Sequence, residues 1–200
     1  MIMTERKYED DRMKRLKRMI VWLMRCHHCC GFGVQSPHDY RFVRNVINEH
    51  AQYYAYAQLR REKKEMDSLQ RKKAELYFRL ANWQQPRIAC VTITPDNYIP
   101  YLKAGKHSVM IQRDNISCSA LPDMLIASFA TMDMSCLLSY LDTAKDGNLL
   151  IVEGIHRRKD KKSWKQLLCH QNSTIAFDLY YLGIILVQPS RYKESYIINF

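Results

Sequence analysis

Two hundred residues suit one domain with an appended helical segment, enough chain to bury a core without disulfide or metal staples. A composition 47% hydrophobic and 26% charged excludes a disordered or fibrous chain. The net charge of +11 is lopsided, with 19 Lys and Arg against 10 Asp and Glu in residues 1–90 and 12 against 10 in residues 91–200.

Residues 4–28 read as a basic amphipathic helix. Leu16, Ile20, Leu23 and His27 fall on one face, and Lys14, Arg15, Lys17, Arg18 and Arg25 surround it. Such a stripe docks on the rest of the protein or on a partner subunit, or lies on a membrane surface. Gly31-Phe-Gly-Val-Gln-Ser-Pro37 breaks the helix, and Ser36 then caps a second one running from Pro37 to about Glu49. Residues 50–84 read as helical, highly charged over 60–73 and breaking near Asp67-Ser68. Leu76, Leu80 and Trp83 form an apolar stripe before Pro86.

The α/β part starts at Arg87. Strands are expected at Ile88–Ile93, His107–Gln112 and Asp123–Ala127, a short Pro-interrupted helix at Asp96–Lys103, and a helix at Thr131–Ala144. The last quarter holds a buried-type strand, Asn148–Val152, running into Glu153-Gly-Ile-His156. A basic helix then spans Arg157–His170, and strand-like runs follow at Thr174–Asp178, Gly183–Val187 and Ser195–Phe200. The expected fold class is α/β, a mostly parallel Rossmann-like sheet closed by a C-terminal antiparallel hairpin. The expected division is an N-terminal helical segment, 1–86, and an α/β domain, 87–200.

Chemistry in such sheets sits beyond the carboxyl ends of the parallel strands, which singles out Glu153 and His156 as candidate catalytic residues. The plainer alternative has His156 capping the next helix and Glu153 pairing with Arg157, Arg158 or Lys159. The first strand–helix junction should hold a nucleotide-type cofactor through a tight glycine turn. Here it reads Val91-Thr-Ile-Thr-Pro-Asp-Asn-Tyr98, without glycine, with Pro95 removing a donor and Tyr98 adding bulk. That argues against a normal cofactor pocket. Cys26-His-His-Cys-Cys30 has ligand-type residues at zinc-knuckle spacing but lacks a second ligand pair, so no metal is expected. Seven scattered cysteines suit reduced thiols and a cytoplasmic location. The apolar run Met19–Met24 is too short for a signal peptide or a membrane span.

Two stretches together resemble a family. Gly31–Val43 resembles the "GxHSPFxYxFV" segment of a group of class I S-adenosylmethionine-dependent methyltransferases found in Bacteroidetes-type bacteria. Gly147–His156, Trp164, Ile175–Ile185 and Tyr196–Phe200 resemble the C-terminal half of that group, and Ala74–Asn82 resembles the helix before its first strand. Glu153 and Gly154 stand where the group has two acids, and His156 stands at its histidine. The resemblance implies a methyltransferase fold, S-adenosylmethionine as cofactor if the chain is active, and Glu153 and His156 near an acceptor. The departures are large. The glycine-rich loop is absent at Val91–Tyr98, Ser128-Phe-Ala-Thr131 replaces an acid-and-histidine segment, and the span from Ile93 to Asp123 is too short for two strand–helix units. The reading is a divergent, shortened methyltransferase-like protein with impaired or lost cofactor binding. The alternative is a non-enzymatic protein on the same fold whose basic N-terminal half binds a protein or nucleic acid, and a homodimer through the N-terminal helices is a third.

Overall fold

The computed structural model describes residues 2–93, 96–113 and 121–200, with side chains described from Arg12 onward. Among the described residues, seven strands form one sheet: β1 (Ile88–Val91), β2 (Met110–Arg113), β3 (Met124–Ser128), β4 (Leu149–Glu153), β5 (Ile175–Asp178), β6 (Leu182–Leu186) and β7 (Glu194–Ile197). Their order is β2-β1-β3-β4-β6-β5-β7. Every neighbouring pair is parallel except the two made by β6, which runs antiparallel between β4 and β5. The chain steps outward from β1 to β2 and then crosses back to β3 on the other side of β1, the reversal that defines a Rossmann-type sheet. The sheet is thus Rossmann-like and mostly parallel, with the late antiparallel strand β6 set between β4 and β5. Among the described residues, β2 is the one strand beyond β1, where the Rossmann order carries two.

The central strands are apolar on both faces because both faces are covered. Met124, Ile126, Leu149, Ile151, Ile184 and Leu186 point to one layer, and Leu125, Ala127, Leu150, Val152 and Ile185 to the other. The first layer is built by α2 (Pro37–Phe42), α3 (Tyr54–Glu62), α4 (Ser68–Gln84) and α5 (Ile99–Gly105). The second is built by α6 (Met134–Thr143) and α7 (Lys161–Cys169). Helix α4 runs the length of the sheet. Lys73 and Tyr77 reach Glu153 at the carboxyl end of β4, while Gln84 donates to the carbonyls of Asp123 and Gly147 at the opposite end. On the other side of the sheet, Gly183 leaves the room on β6 that the Trp164 ring occupies.

Several element boundaries differ from the sequence expectation. Helix α1 (Ile2–Met24) stops before His28. Residues 26–31 form an irregular, kinked turn, non-helical from His28 to Cys30, that redirects the chain through positive φ at Cys30 and Gly31. Ser36 does cap α2, its hydroxyl accepting from the Asp39 N–H, but the α geometry ends at Phe42 and Val43–Ile47 widen into a π turn. The reason lies on α4, where Arg79 donates to the carbonyls of Val46 and Ile47. Residues 50–84 split into α3 and α4, and Asp67 caps α4 in a reciprocal box with Gln70. Arg157–Asp160 form a turn, so α7 begins only at Lys161. The stripe of α1 does not dock on the body: Leu16, Ile20 and Leu23 stay about half exposed. Among the described residues, no helix is long and apolar enough to cross a membrane.

Candidate functional site

All the strands except β6 end on the same side of the sheet, and their carboxyl ends carry the polar side chains of interest. Glu153 is the last residue of β4, in register with Ser128 of β3 and Leu182 of β6. Both of its oxygens are held by α4. The Lys73 ammonium donates to Oε2 at 2.6 Å, and the Tyr77 hydroxyl donates to Oε1. Lys73 and Glu153 are only 12% and 13% exposed, so the pair is nearly dehydrated. Burial, with the Glu153 charge beside it, pushes the Tyr77 hydroxyl well above its ordinary range, which keeps it a donor.

Tyr98 completes this cluster. It closes the turn after β1, is buried, and meets Tyr77 edge to face at 5.1 Å between ring centroids. The Lys73 ammonium lies 5.4 Å from its ring centre. Tyr98 therefore fills space at the carboxyl end of β1, beside the switch point where ligands of such sheets bind. Thr94 and Pro95, on which part of the expectation for this loop rests, lie outside the described residues. At the switch point itself Thr92, Ser128 and Thr131 turn their hydroxyls toward one another. The Thr131 hydroxyl is 3.0 Å from that of Thr92 and 3.1 Å from that of Ser128. The segment Ser128–Thr131 is thus a closed turn satisfied by its own chain.

His156 belongs to a different cluster. Its Nε2 lies 2.7 Å from Asp178 Oδ2 at the end of β5, and Arg25 donates to the other oxygen at 2.6 Å. Arg25 also donates to the carbonyls of Asp178 and Ile198. Tyr180 stacks on the imidazole at 4.6 Å. It does so from a left-handed backbone conformation, φ 69°, with its N–H on Asp178 Oδ1. The imidazole is held by a carboxylate and remains 26% exposed, an arrangement able to hold or pass a proton. Glu153 and His156 thus share one side of the sheet but have separate partners. The plainer expectation differs from the structure for both: Glu153 pairs with Lys73, and Asp160 stands at the N-cap of α7.

The sequence reading missed Lys73, Tyr77, Asp178 and Arg25. The spacing of Lys73 and Tyr77, four apart on one helical face, was a usable signal. It also missed a second buried centre. Asp39 is fully buried and takes both guanidinium nitrogens of Arg191 at 2.5 and 2.7 Å and the Tyr196 hydroxyl at 3.1 Å. Burial pushes the Asp39 carboxyl up, but Arg191, His38 and Tyr196 outweigh it and hold it below the ordinary value of 3.8. This centre ties the segment after Gly33 to β7. The cysteine and histidine run at 26–30 forms a turn fastened to the chain end, where Asn199 donates to the His28 carbonyl and to Cys29 Sγ. Among the described residues, no group of three or more His, Cys, Asp or Glu could hold a metal ion.

No family model matches the chain, and no curated protein matches it in sequence. Among solved structures it is similar to a crystal structure of a methyltransferase from Geobacter sulfurreducens. The identity is 12% and the TM-score 0.46, over 76% of this chain and 98% of that one.

Proposed function

We propose that this chain is a divergent, shortened methyltransferase-like protein of the Bacteroidetes-type group, working in the cytoplasm, in which binding of S-adenosylmethionine has been lost. The observation that carries the reading is the cluster of Tyr98, Tyr77, Lys73 and Glu153. A cofactor at the carboxyl ends of β1 and β4 needs an open cleft and an acceptor group facing it. Here a buried tyrosine stands in that space, and both oxygens of Glu153 are engaged by side chains of the same chain. The residues present therefore do not fit the cofactor. The test is calorimetric titration with S-adenosylmethionine and S-adenosylhomocysteine. No heat of binding at millimolar ligand is expected. Micromolar binding that weakens on Glu153→Ala would overturn the reading and return Glu153 and His156 to an acceptor site.

A second reading follows from the surface. Arg12, Lys14, Arg15 and Lys17 of α1, Arg61 in the last turn of α3 and Lys64 in the turn after it stand exposed. In this reading residues 1–86 bind an acidic macromolecule, a nucleic acid or a protein, and residues 87–200 serve as the scaffold. Phosphate contacts release counterions, so affinity for a duplex oligonucleotide would fall steeply with salt. Anisotropy across a salt series checks this, and a flat or absent response would remove nucleic acid as the partner.

A further inference from the structure

Helix α1 carries an apolar seam that the other described residues leave uncovered. Met13, Leu16, Ile20 and Leu23 are between 46% and 54% exposed. Their spacing of three, four and three residues is that of a coiled-coil seam, in which alternate steps of three and four keep one line of side chains facing a partner. The opposite side of the helix is the attached one. Arg18 donates to Ser68 Oγ at 2.6 Å and to Asp67 at 3.1 Å, and Arg25 is buried against β5. The seam therefore points away from the body of the protein. Two apolar hollows border this helix, one beside Met13, Leu16 and Met19, the other between Ile20, Met24, Leu69 and Tyr181.

We propose that the occupant of this seam is α1 of a second copy, packed antiparallel. Two features select that partner and that direction. The four seam positions are symmetric about residue 18. A two-fold axis there places Met13 on Leu23 of the other copy and Leu16 on its Ile20, so every layer is apolar on apolar. Charge selects the direction. Residues 12–18 contain five Arg and Lys and no acid, whereas residues 19–24 contain no charged side chain. A parallel pair would lay the five bases of one helix along the five of the other. An antiparallel pair lays each basic half along the uncharged half of its mate. A lipid surface would take a broad apolar arc instead, and Arg12 lies within that arc, between Met19 and Leu23 around the helix axis.

The experiment is light scattering on the full chain after size exclusion, paired with cysteine crosslinking. The native protein should run at twice its chain mass of 23.8 kDa. The double variant Leu16→Glu/Ile20→Glu should run as a monomer with unchanged circular dichroism, since both side chains are already exposed within one chain. Its dimer dissociation constant should rise by at least about tenfold, the scale for losing an apolar anchor at an interface. For the register, Leu16→Cys and Ile20→Cys proteins are mixed and oxidised against the native cysteine background. The mixed disulfide should form faster than either symmetric one. A native protein that stays monomeric at every attainable concentration overturns the proposal. So does a dimer indifferent to the double variant, or a Leu16→Cys protein that crosslinks to itself faster than to its Ile20→Cys mate. A monomer that floats with phosphatidylserine vesicles would assign the seam to lipid and also overturn it.

Discussion

At the scale of single residues, the Lys73–Glu153 pair decides what the strand ends can do. An ion pair with little solvent contact contributes modestly as a pair, but losing one member leaves a buried charge uncompensated. Glu153→Leu alone should therefore cost about 3–5 kcal/mol, with Lys73 stranded between Tyr77 and Tyr98. Lys73→Met combined with Glu153→Leu should recover part of that loss, because two apolar side chains of similar volume replace both charges while the buried Tyr77 hydroxyl still lacks its acceptor. Urea unfolding of the single and double variants measures this coupling. If the two single losses simply added, the carboxylate would be exposed to water and available to a ligand, against the two contacts that α4 makes with it. The same residues mark the limit of the sequence. Glu153 and His156 are legible as polar groups at a strand end. Their partners are not, because Lys73 and Tyr77 lie 80 and 76 residues from Glu153, and Arg25 lies 131 from His156. Only the folded sheet brings these groups together.

At the scale of elements, local chemistry was legible wherever it acts alone. Ser36-Pro37 caps α2 and Asp67 caps α4, and both starts are visible because the capping side chain and the N–H it receives are neighbours in sequence. The apolar runs of β3, β4 and β6 are visible because strands buried on both faces need no alternation. Helix ends are less visible because tertiary partners set them. The π turn after Phe42 depends on Arg79 from α4, and the turn after Met24 is fixed by Asn199 at the far end of the chain. The helix following β1 shows both cases. Pro100 falls in the first turn of α5, where a missing N–H costs nothing. Gly105, in contrast, is there because a Cβ would collide with the Phe78 carbonyl oxygen of α4. The two helices approach so closely that only glycine fits, and no periodicity in the sequence announces it.

At the scale of the molecule, a mostly parallel sheet with a late antiparallel pair was legible from the alternation of strands and helices, but the placing of α1 was not, since its amphipathic face suggested docking by that face. It is instead held by the opposite side, through Arg18 on Ser68 and Asp67 and through Arg25 at its C-terminal end. Arg25 donates to the Asp178 carboxylate and to the Asp178 and Ile198 carbonyls, and its guanidinium lies 5.3 Å from the Tyr180 ring centre. These contacts join α1 to the ends of β5 and β7 while leaving the apolar seam outward. Arg25→Ala should loosen the C-terminal end of α1 without opening the sheet, because the strand ladders and both cores lie elsewhere. Hydrogen exchange should then rise through residues 19–24 and stay low in β3, β4 and β6. Arg25→Lys should fall between, since an ammonium cannot span the carboxylate and two carbonyls as a guanidinium does. The imidazole of His156 reports on the same event, because Arg25 shares Asp178 with it: its ring signals should shift in Arg25→Ala. Uniform loss of protection across sheet and helix would mean that Arg25 holds the whole fold rather than the helix alone.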